Sequence, residues 1–347
     1  MKINKMMFIS LLLVGIILIQ ACNSEENVNS DKTKDTNKEH VLKLAHTNAP
    51  SDVDPYTAIS EKFKETVEKE SDGRIKVEIY SGGQMGGELE EIQKVQNNVI
   101  QASLVASNNI SEHSPSLGAL DLPYLFESVE DFNKVISENG ELINDTLKEE
   151  AKIEAIAWTH QGFRVISTSK EIKNVDDLKG FKIRLPENKI QIKTFENLGA
   201  SPTPIAVDEL YNSLQQNVVE AQENPYVSIY TNKFHEVADY ISEPSYKLWV
   251  GPLIINQDFL KELPDELESI VRDAGKDMED FSNEKVIKQE EEAKKAIKEE
   301  GVEILGAPED EDVWKESSMD IWPEFYDDIG DLTVLDAVLE TLDKEKP

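Results

Sequence analysis

The stretch from residue 178 to residue 226 constrains the fold more than any other part of the chain. It contains three short strand-like runs separated by two helix-like runs, and Pro186 and Pro225 stop the first and the last of these strands. Period-two alternation that ends at a proline is typical of a β-strand entering a loop. The stretch therefore predicts a strand–helix–strand–helix–strand unit with Arg184 and Asn224 at two strand tips, where ligands bind in open α/β sheets.

Arginine is rare in this chain, which has four arginines among its 36 Lys and Arg residues. Two of them, Arg164 and Arg184, lie in strand-like runs flanked by large apolar residues. A guanidinium holds a carboxylate through two parallel hydrogen bonds, and burying it without an anion is costly. Each arginine therefore needs an acidic partner. Residue chemistry alone favours an ion pair within the protein, because the chain has 69 Asp and Glu residues, and leaves a ligand carboxylate as the alternative.

Four sequence blocks in this region occur in a recognisable order and spacing. They are LKGFKIR at 178–184, GASPTP at 199–204, DELYNSLQQ at 208–216 and EAQENP at 220–225. Together they resemble the substrate-binding proteins of tripartite ATP-independent (TRAP) transporters, the dicarboxylate-binding-subunit family. The resemblance implies that Arg184 holds a ligand carboxylate through a two-pronged salt bridge, that Arg164 supports or joins this contact, and that Asn224 also reaches the ligand.

The resemblance also implies a fold, namely a two-lobed periplasmic-binding-protein-like α/β structure. Each lobe is expected to be a mixed sheet flanked by helices, and a long C-terminal helix, predicted from Pro264 to Glu300, is expected to bridge them. We predict that residues 40–161 plus 250–289 form lobe I and that residues 162–249 plus 290–347 form lobe II. The part after Val302 is predicted to supply one strand and two helices that cover lobe II.

Three polar residues follow predicted strands of lobe I, and the resemblance places their loops at the cleft. We expect Asn48, Glu88 and Asn109 to contact the ligand and to set its specificity. The glycine-rich turn before Glu88 lacks the GK[ST] of a phosphate-binding loop and is followed by acidic residues, which argues against a nucleotide site. Trp249 either stacks on the ligand or fills the hinge, and both alternatives stay open.

Residues 1–22 have the features of a lipoprotein signal peptide. Lys2 and Lys5 precede an apolar run from residue 6 to residue 19, which is too short to span a bilayer. Cys22 is the single cysteine of the chain, and it follows a sequence that resembles a lipoprotein signal-peptidase box. We predict lipid attachment at Cys22 in preference to a buried core thiol. Residues 23–39 are polar and aperiodic, as expected of a disordered tether.

The charge balance excludes some classes of partner. The formal net charge is −33, and removal of Lys2 and Lys5 with the signal peptide makes it −35, that is 34 basic minus 69 acidic residues. Such a surface does not suit nucleic acid, whose binding needs basic patches. An anionic ligand must therefore be captured by local positive groups, for which Arg164 and Arg184 are the candidates.

The sequence thus predicts an extracytoplasmic, lipid-anchored, monomeric solute-binding protein on the outer face of the cytoplasmic membrane. It is expected to close two lobes around a small organic acid and to deliver it to TRAP membrane permease subunits. The amide-rich tips of lobe I favour a sugar acid over a C4-dicarboxylate. The alternatives are a surface-anchored hydrolase, for which no G-x-S-x-G or H-E-x-x-H motif is present, and a sensor module without transport. No catalytic residue, metal site or cofactor is predicted.

Overall fold

The computed structural model describes residues 39–347. The predicted signal peptide, Cys22 and all but the last residue of the predicted tether lie outside the described residues, so these assignments stay predictions. Within residues 39–347, no helix combines the length and the apolar character needed to cross a bilayer.

The described chain alternates between short strands and helices. The strands are β1 (His40–Ala45), β2 (Ile75–Tyr80), β3 (Ala102–Leu104), β4 (Ile153–Phe163), β5 (Val165–Thr168), β6 (Lys182–Leu185), β7 (Ser201–Pro204), β8 (Ala221–Asn224), β9 (Tyr240–Ser242), β10 (Leu248–Asn256) and β11 (Glu303–Gly306). The helices are α1 (Pro55–Glu70), α2 (Glu88–Gln96), α3 (Ser107–Ile110), α4 (Val129–Ala151), α5 (Lys189–Asn197), α6 (Val207–Gln215), α7 (Tyr226–Thr231), α8 (Gln257–Glu262), α9 (Asp265–Glu299), α10 (Glu311–Met319), α11 (Trp322–Ile329) and α12 (Thr333–Leu342). Short 3₁₀ helices form at Pro115–Asp121, Val175–Leu178 and Phe234–Val237.

The strands form two mixed sheets, and each defines one lobe. The sheet of lobe I has the order β2-β1-β3-β10-β4, and the sheet of lobe II has the order β11-β9-β5-β8-β6-β7. In lobe I, β1 is parallel to β2 and β3, whereas β10 is antiparallel to β3 and β4. In lobe II, β6 is parallel to β7 and β8, whereas β5 is antiparallel to β8 and β9. The predicted two-lobed α/β fold is confirmed.

The chain first passes from one sheet to the other at Arg164, the single residue between β4 and β5. The backbone N–H of Arg164 donates to the carbonyl of Lys247, 2.9 Å away, which directly precedes β10. The neighbouring Gly162 has a φ of 86°, and a Cβ there would lie 2.2 Å from a carboxylate oxygen of Glu290 on α9. Only glycine fits this position without displacing the helix side chain.

Helix α9 bridges the two lobes, as predicted. Leu267 and Met278 from its first half pack in the core beneath the lobe I sheet, whereas Ala293 and Ile297 near its end pack in a core of lobe II. Gly275 allows the helix to lie against β4, because a Cβ there would be 2.3 Å from the carbonyl oxygen of Ile156.

The C-terminal region differs from its prediction. Three helices follow β11 instead of two. Helix α10 packs on lobe II, where Trp314 joins a core with residues of β6 and α5. Helices α11 and α12 pack in the core of lobe I, together with α4 and residue Ile254 of β10. An amphipathic helix pattern specifies an apolar face but not the sheet that covers it, so this part of the predicted lobe II is corrected. The other predicted lobe boundaries stay predictions.

Candidate ligand-binding site

A cavity of about 280 Å³ lies between the lobes, at the strand tips of lobe II and at the loops that lead into helices of lobe I. All seven residues that the sequence singles out for ligand contact line it: Asn48, Glu88, Asn109, Arg164, Arg184, Asn224 and Trp249. The fold therefore brings the predicted site residues together, from positions up to 201 residues apart in the chain (249 minus 48). Their contact with a ligand stays a prediction.

Arg184 is a buried cation without an ion pair among residues 39–347. It lies on β6, which β7 and β8 flank on both sides, and its side chain is nearly inaccessible to solvent. Its Nε donates to the carbonyl oxygen of Ile205 at 2.7 Å, and this is the single hydrogen bond that its guanidinium forms with the described residues. Burial lowers the pKa of Arg184 to about 10, an effect that the charge of Glu223 opposes. The group stays cationic at neutral pH.

Arg164 is buried too, but it is paired with a carboxylate. Its Nε and Nη2 donate to the two carboxylate oxygens of Glu223, the Nη2 bond measuring 2.8 Å, and Nη2 also donates to Asn224 Oδ1 at 3.1 Å. Burial alone would lower the pKa of Arg164, yet the charge and hydrogen bonds of Glu223 raise it above its ordinary value. The internal ion pair that residue chemistry favours is thus found at Arg164 and not at Arg184.

Asn224 is held by two neighbours at the tip of β8. Its Oδ1 accepts the bond from Arg164, and its Nδ2 donates to Gln222 Oε1 at 2.6 Å. Gln222 in turn donates to Ser167 Oγ at 2.7 Å on β5, the adjacent strand. This chain of hydrogen bonds fixes the amide of Asn224 before any ligand arrives.

Glu88 presents a carboxylate from the opposite wall. It is the first residue of α2, and its Oε2 accepts hydrogen bonds from the Ala106 amide at 2.8 Å and from Asn109 Nδ2 at 2.6 Å. Burial raises the pKa of Glu88, although these two hydrogen bonds and the charge of Arg164 act in the other direction. Glu88 therefore also orients Asn109, its predicted partner in specificity.

Asn48 and Trp249 complete the lobe I wall. Asn48 Nδ2 donates to Asp54 Oδ1 at 2.7 Å, and Asp54 accepts from the Thr57 amide as the N-cap of α1. One of the two Asn48 amide hydrogens is thus used within the protein. Trp249 packs in the lobe I core, with its ring 5.7 Å from that of Tyr56 in an edge-on arrangement, and it also lines the cavity. Packing and ligand contact are compatible at this residue.

Comparisons with known proteins show the family of this chain. The family profile described as "Bacterial extracellular solute-binding protein, family 7" matches residues 44–328. The chain belongs to this family. The match includes every residue of the candidate site and the whole of α9, and it ends within α11.

Proteins related to this family 7 member align with most of its length. It is 28% identical over 302 residues to the C4-dicarboxylate-binding periplasmic protein DctP of Rhodobacter capsulatus, which covers 85% of this chain and 89% of that protein. It is 31% identical, with a TM-score of 0.74, to an open, ligand-free TRAP periplasmic solute-binding protein of Rhodobacter sphaeroides, covering 88% and 99% of the two chains.

A third comparison bears on conformation. The sugar acid binding protein of Advenella mimigardefordensis in complex with galactonate is 26% identical to this family 7 member, with a TM-score of 0.82 and coverage of 88% and 99%. The TM-score is higher for this complex than for the open structure, although the identity is lower. The overall backbone of this chain is thus nearer to that of the ligand-bound neighbour.

Four other residues belong to the candidate site or contact its residues, although sequence reasoning did not single them out. Glu223 pairs with Arg164, Tyr56 places its hydroxyl 3.5 Å from Glu88, and Ser228 donates to Gln161 at 3.0 Å on the cavity wall. Glu223 carried a usable signal, because an acid directly before the strand-tip Asn224 is a natural partner for a nearby arginine. Tyr56 lies on the apolar face of α1, and only its hydroxyl group distinguished it in the sequence from a core residue.

No metal centre accompanies these residues. Within residues 39–347, no group of three or more His, Cys, Asp or Glu side chains is placed to hold a metal ion.

Proposed function

We propose that this protein is the extracytoplasmic solute-binding protein of a TRAP transporter and that it closes its lobes around a small organic acid for delivery to the membrane permease. The observation that carries the proposal is the buried Arg184 guanidinium at the cavity, without a carboxylate partner among the described residues. A ligand carboxylate supplies the missing anion and offsets the cost of burying the cation. A ligand that touches both lobes binds the closed arrangement more tightly and shifts the population towards it.

The ligand class follows from the contrast between the two walls. Among residues 39–347, lobe II offers one open cation at the cavity, since Arg164 is neutralised by Glu223. Lobe I offers the Glu88 carboxylate and the amides of Asn48 and Asn109. A second ligand carboxylate would face Glu88 and meet repulsion, whereas hydroxyl groups would donate to Glu88 and accept from the amides. We therefore favour a hydroxylated monocarboxylate, a sugar acid. The galactonate complex of the Advenella neighbour supports this choice.

A C4-dicarboxylate is the second candidate, because the Rhodobacter capsulatus relative is named for such ligands. Three six-carbon compounds with the same hydroxyl configuration separate the possibilities: galactonate has one carboxylate, galactarate has two and galactitol has none. Isothermal titration calorimetry with these compounds and with succinate should give the tightest binding for galactonate, weaker binding for galactarate and no detectable binding for galactitol. Tighter binding of galactarate or succinate would overturn the monocarboxylate assignment.

Failure of all four compounds, followed by failure of a wider thermal-shift screen of uronates, aldonates and keto acids, would contradict the proposed binding function itself. The hydrolase alternative makes a different prediction in the same experiments, namely slow conversion of a bound compound. Analysis of each titrated sample by mass spectrometry should recover the acid unchanged.

We also propose that Cys22 carries the lipid anchor and that the folded body acts as a monomer beside the membrane. The support is the position of Cys22 directly after an apolar segment of signal-peptide length. Metabolic labelling with an alkyne fatty acid should mark the wild-type protein in membranes, and Cys22→Ser should abolish the label. Light scattering of the purified protein should give the mass of one chain. A neighbouring pair of permease genes would favour transport over a sensor role.

A further inference from the structure

Asn188 uses the two ends of one side chain in two different lobes. It is buried and forms the N-cap of α5, where its Oδ1 accepts from the Gln191 amide at 2.9 Å. Its Nδ2 reaches lobe I and lies 3.0 Å from the carbonyl oxygen of Asn108, 3.1 Å from Ser111 Oγ and 3.1 Å from Asp121 Oδ2. An amide nitrogen has two hydrogens, so these three acceptors share them.

Asp121 makes this contact more than an ordinary amide hydrogen bond. It is buried at the end of the 3₁₀ helix Pro115–Asp121, and its Oδ1 accepts from Ser107 Oγ and from Lys247 Nζ, both at 2.7 Å. Burial lowers the pKa of Lys247, and the charge of Asp121 opposes this effect. The carboxylate that receives the Asn188 bond is therefore held in place by a buried ion pair.

The bond links the two walls of the cavity through very short stretches of chain. Asn188 follows Arg184 by four residues, and Asn108, which accepts from it, directly precedes Asn109. Lys247 is linked to Arg164, the other residue predicted to contact a ligand anion, because the Lys247 carbonyl accepts from the backbone N–H of Arg164. Asn188 itself does not line the cavity between the lobes.

We propose that Asn188 is a positioning residue that joins the lobes in the closed arrangement and thereby sets the affinity for the ligand without touching it. The inference rests on the proposed function only where ligand affinity is concerned. Loss of the bond would lower the population of the closed, binding-competent form, and the apparent dissociation constant rises in inverse proportion to that population. Since the acceptor is a buried carboxylate, the bond belongs to the stronger, charge-assisted class.

Three variants separate the lobe-bridging role from helix capping. Serine, aspartate and asparagine are about equally good N-caps, so Asn188→Ser and Asn188→Asp both keep the start of α5. Asn188→Ser lacks the nitrogen that reaches lobe I. Asn188→Asp places a carboxylate against Asp121. The double variant Asn188→Asp with Asp121→Asn restores a donor–acceptor pair in the reverse direction and has one carboxylate at this contact, as the wild-type protein has.

The first measurement is calorimetry with galactonate as the probe. We expect Asn188→Ser to weaken binding about 10-fold and Asn188→Asp about 100-fold, as for the loss of a charge-assisted bond and for its replacement by repulsion. The double variant should recover at least 10-fold relative to Asn188→Asp. Wild-type affinity in both single variants, or a double variant no better than Asn188→Asp, would overturn the proposal.

The second measurement needs no ligand. In hydrogen exchange followed by mass spectrometry, Asn188→Ser should speed exchange in residues 107–111 of lobe I and leave the first turn of α5 at the wild-type rate. Faster exchange confined to α5 would show a capping role only and would overturn the proposal. If the wild-type protein binds none of the acids, the proposed function fails, and this experiment still decides the role of Asn188.

Discussion

The two walls of the cavity differ in charge and in how their side chains are held. Lobe II supplies cations from the ends of short sheet strands, and one of them, Arg164, is locked by Glu223 while the other, Arg184, is open. Lobe I supplies acceptors from the entrances to helices, with Glu88 at the start of α2. The difference is consistent with the proposed function, in which we expect lobe II to hold the anionic end of a ligand and lobe I to distinguish its hydroxyl groups.

A second carboxyl group lies deeper in the lobe I wall. Glu91 follows Glu88 by one helical turn, is fully buried and accepts from Ser103 Oγ at 2.7 Å. Its other oxygen has no hydrogen-bond partner among residues 39–347. Burial raises the pKa of Glu91 to about 8; the Ser103 bond and Lys94 oppose the rise, whereas the charges of Glu88 and Asp208 add to it. Lobe I therefore holds one carboxyl in its neutral form behind the one that faces the cavity.

The largest effect is expected from breaking the Arg164–Glu223 ion pair of lobe II. Glu223→Gln leaves Arg164 buried without its anion, which should cost about 3–5 kcal/mol of unfolding free energy. Urea denaturation followed by circular dichroism measures this loss. Glu266→Gln is the matched control, because it breaks the forked but exposed pair with Arg74 and should leave the urea midpoint nearly unchanged. Equal effects of the two variants would show that the Glu223–Arg164 pair stabilises the fold no more than an exposed ion pair does.

Substitution of Arg184, the open cation of lobe II, should have the opposite pattern: ligand affinity should fall and stability should not. Arg184→Lys loses the planar fork and should weaken galactonate binding about 100-fold, while the unfolding free energy without ligand should stay the same or rise, since no ion pair is lost. Calorimetry and urea denaturation provide the two values. Arg74→Lys serves as the control for the same exchange on the surface. Unchanged affinity in Arg184→Lys would exclude Arg184 as the carboxylate anchor.

The pH dependence of the unfolding free energy tests the raised pKa of Glu91 in the lobe I wall. The folded pKa of Glu91 lies above its unfolded value of 4.5, so between about pH 4.5 and pH 8 the folded state binds the extra proton and stability falls as pH rises. The contribution lost from pH 5 to pH 7 is about 2–3 kcal/mol. Asp54, Glu88 and Glu290 also have raised pKa values and act in the same direction.

Glu91→Gln isolates the Glu91 contribution from those of the other carboxyl groups with raised pKa values, Glu279 included. Urea midpoints at pH 5, 6, 7 and 8 should fall less steeply for the variant than for the wild-type protein. Parallel curves of urea midpoint against pH for the two proteins would show that the pKa of Glu91 is not raised and that lobe I holds no neutral carboxyl group at this position.

The smallest effect is expected at the rim, where both walls carry acids. Five carboxylate residues line the cavity: Glu88, Glu90, Glu187, Asp208 and Glu209. Asp208→Asn removes one charge that repels an approaching anion and should raise the association rate of galactonate about two-fold at low salt. Stopped-flow tryptophan fluorescence measures this rate, because Trp249 lines the same cavity. The increase should vanish at high salt, and a salt-independent increase would point to a steric cause instead.

Much of the architecture follows from local sequence patterns. Alternation ended by Pro186 and Pro225 located β6 and β8, and the charged amphipathic run from 264 to 300 agrees closely with α9. Strand tips and their polar residues are predictable in this way, because strand periodicity and proline termination act over a few neighbouring residues. The family resemblance then assembled the seven site residues into one expected cleft.

By itself, the sequence determined the two-lobed α/β class and seven of the residues that line the cavity. Only the tertiary structure decided that Arg164 is locked by Glu223, 59 residues further along the chain, while Arg184 stays open. It also decided that α11 and α12 pack in the core of lobe I. The physical reason is the same in both cases: ion pairing and apolar burial depend on which distant groups meet in the folded chain, and local periodicity carries no information about that choice.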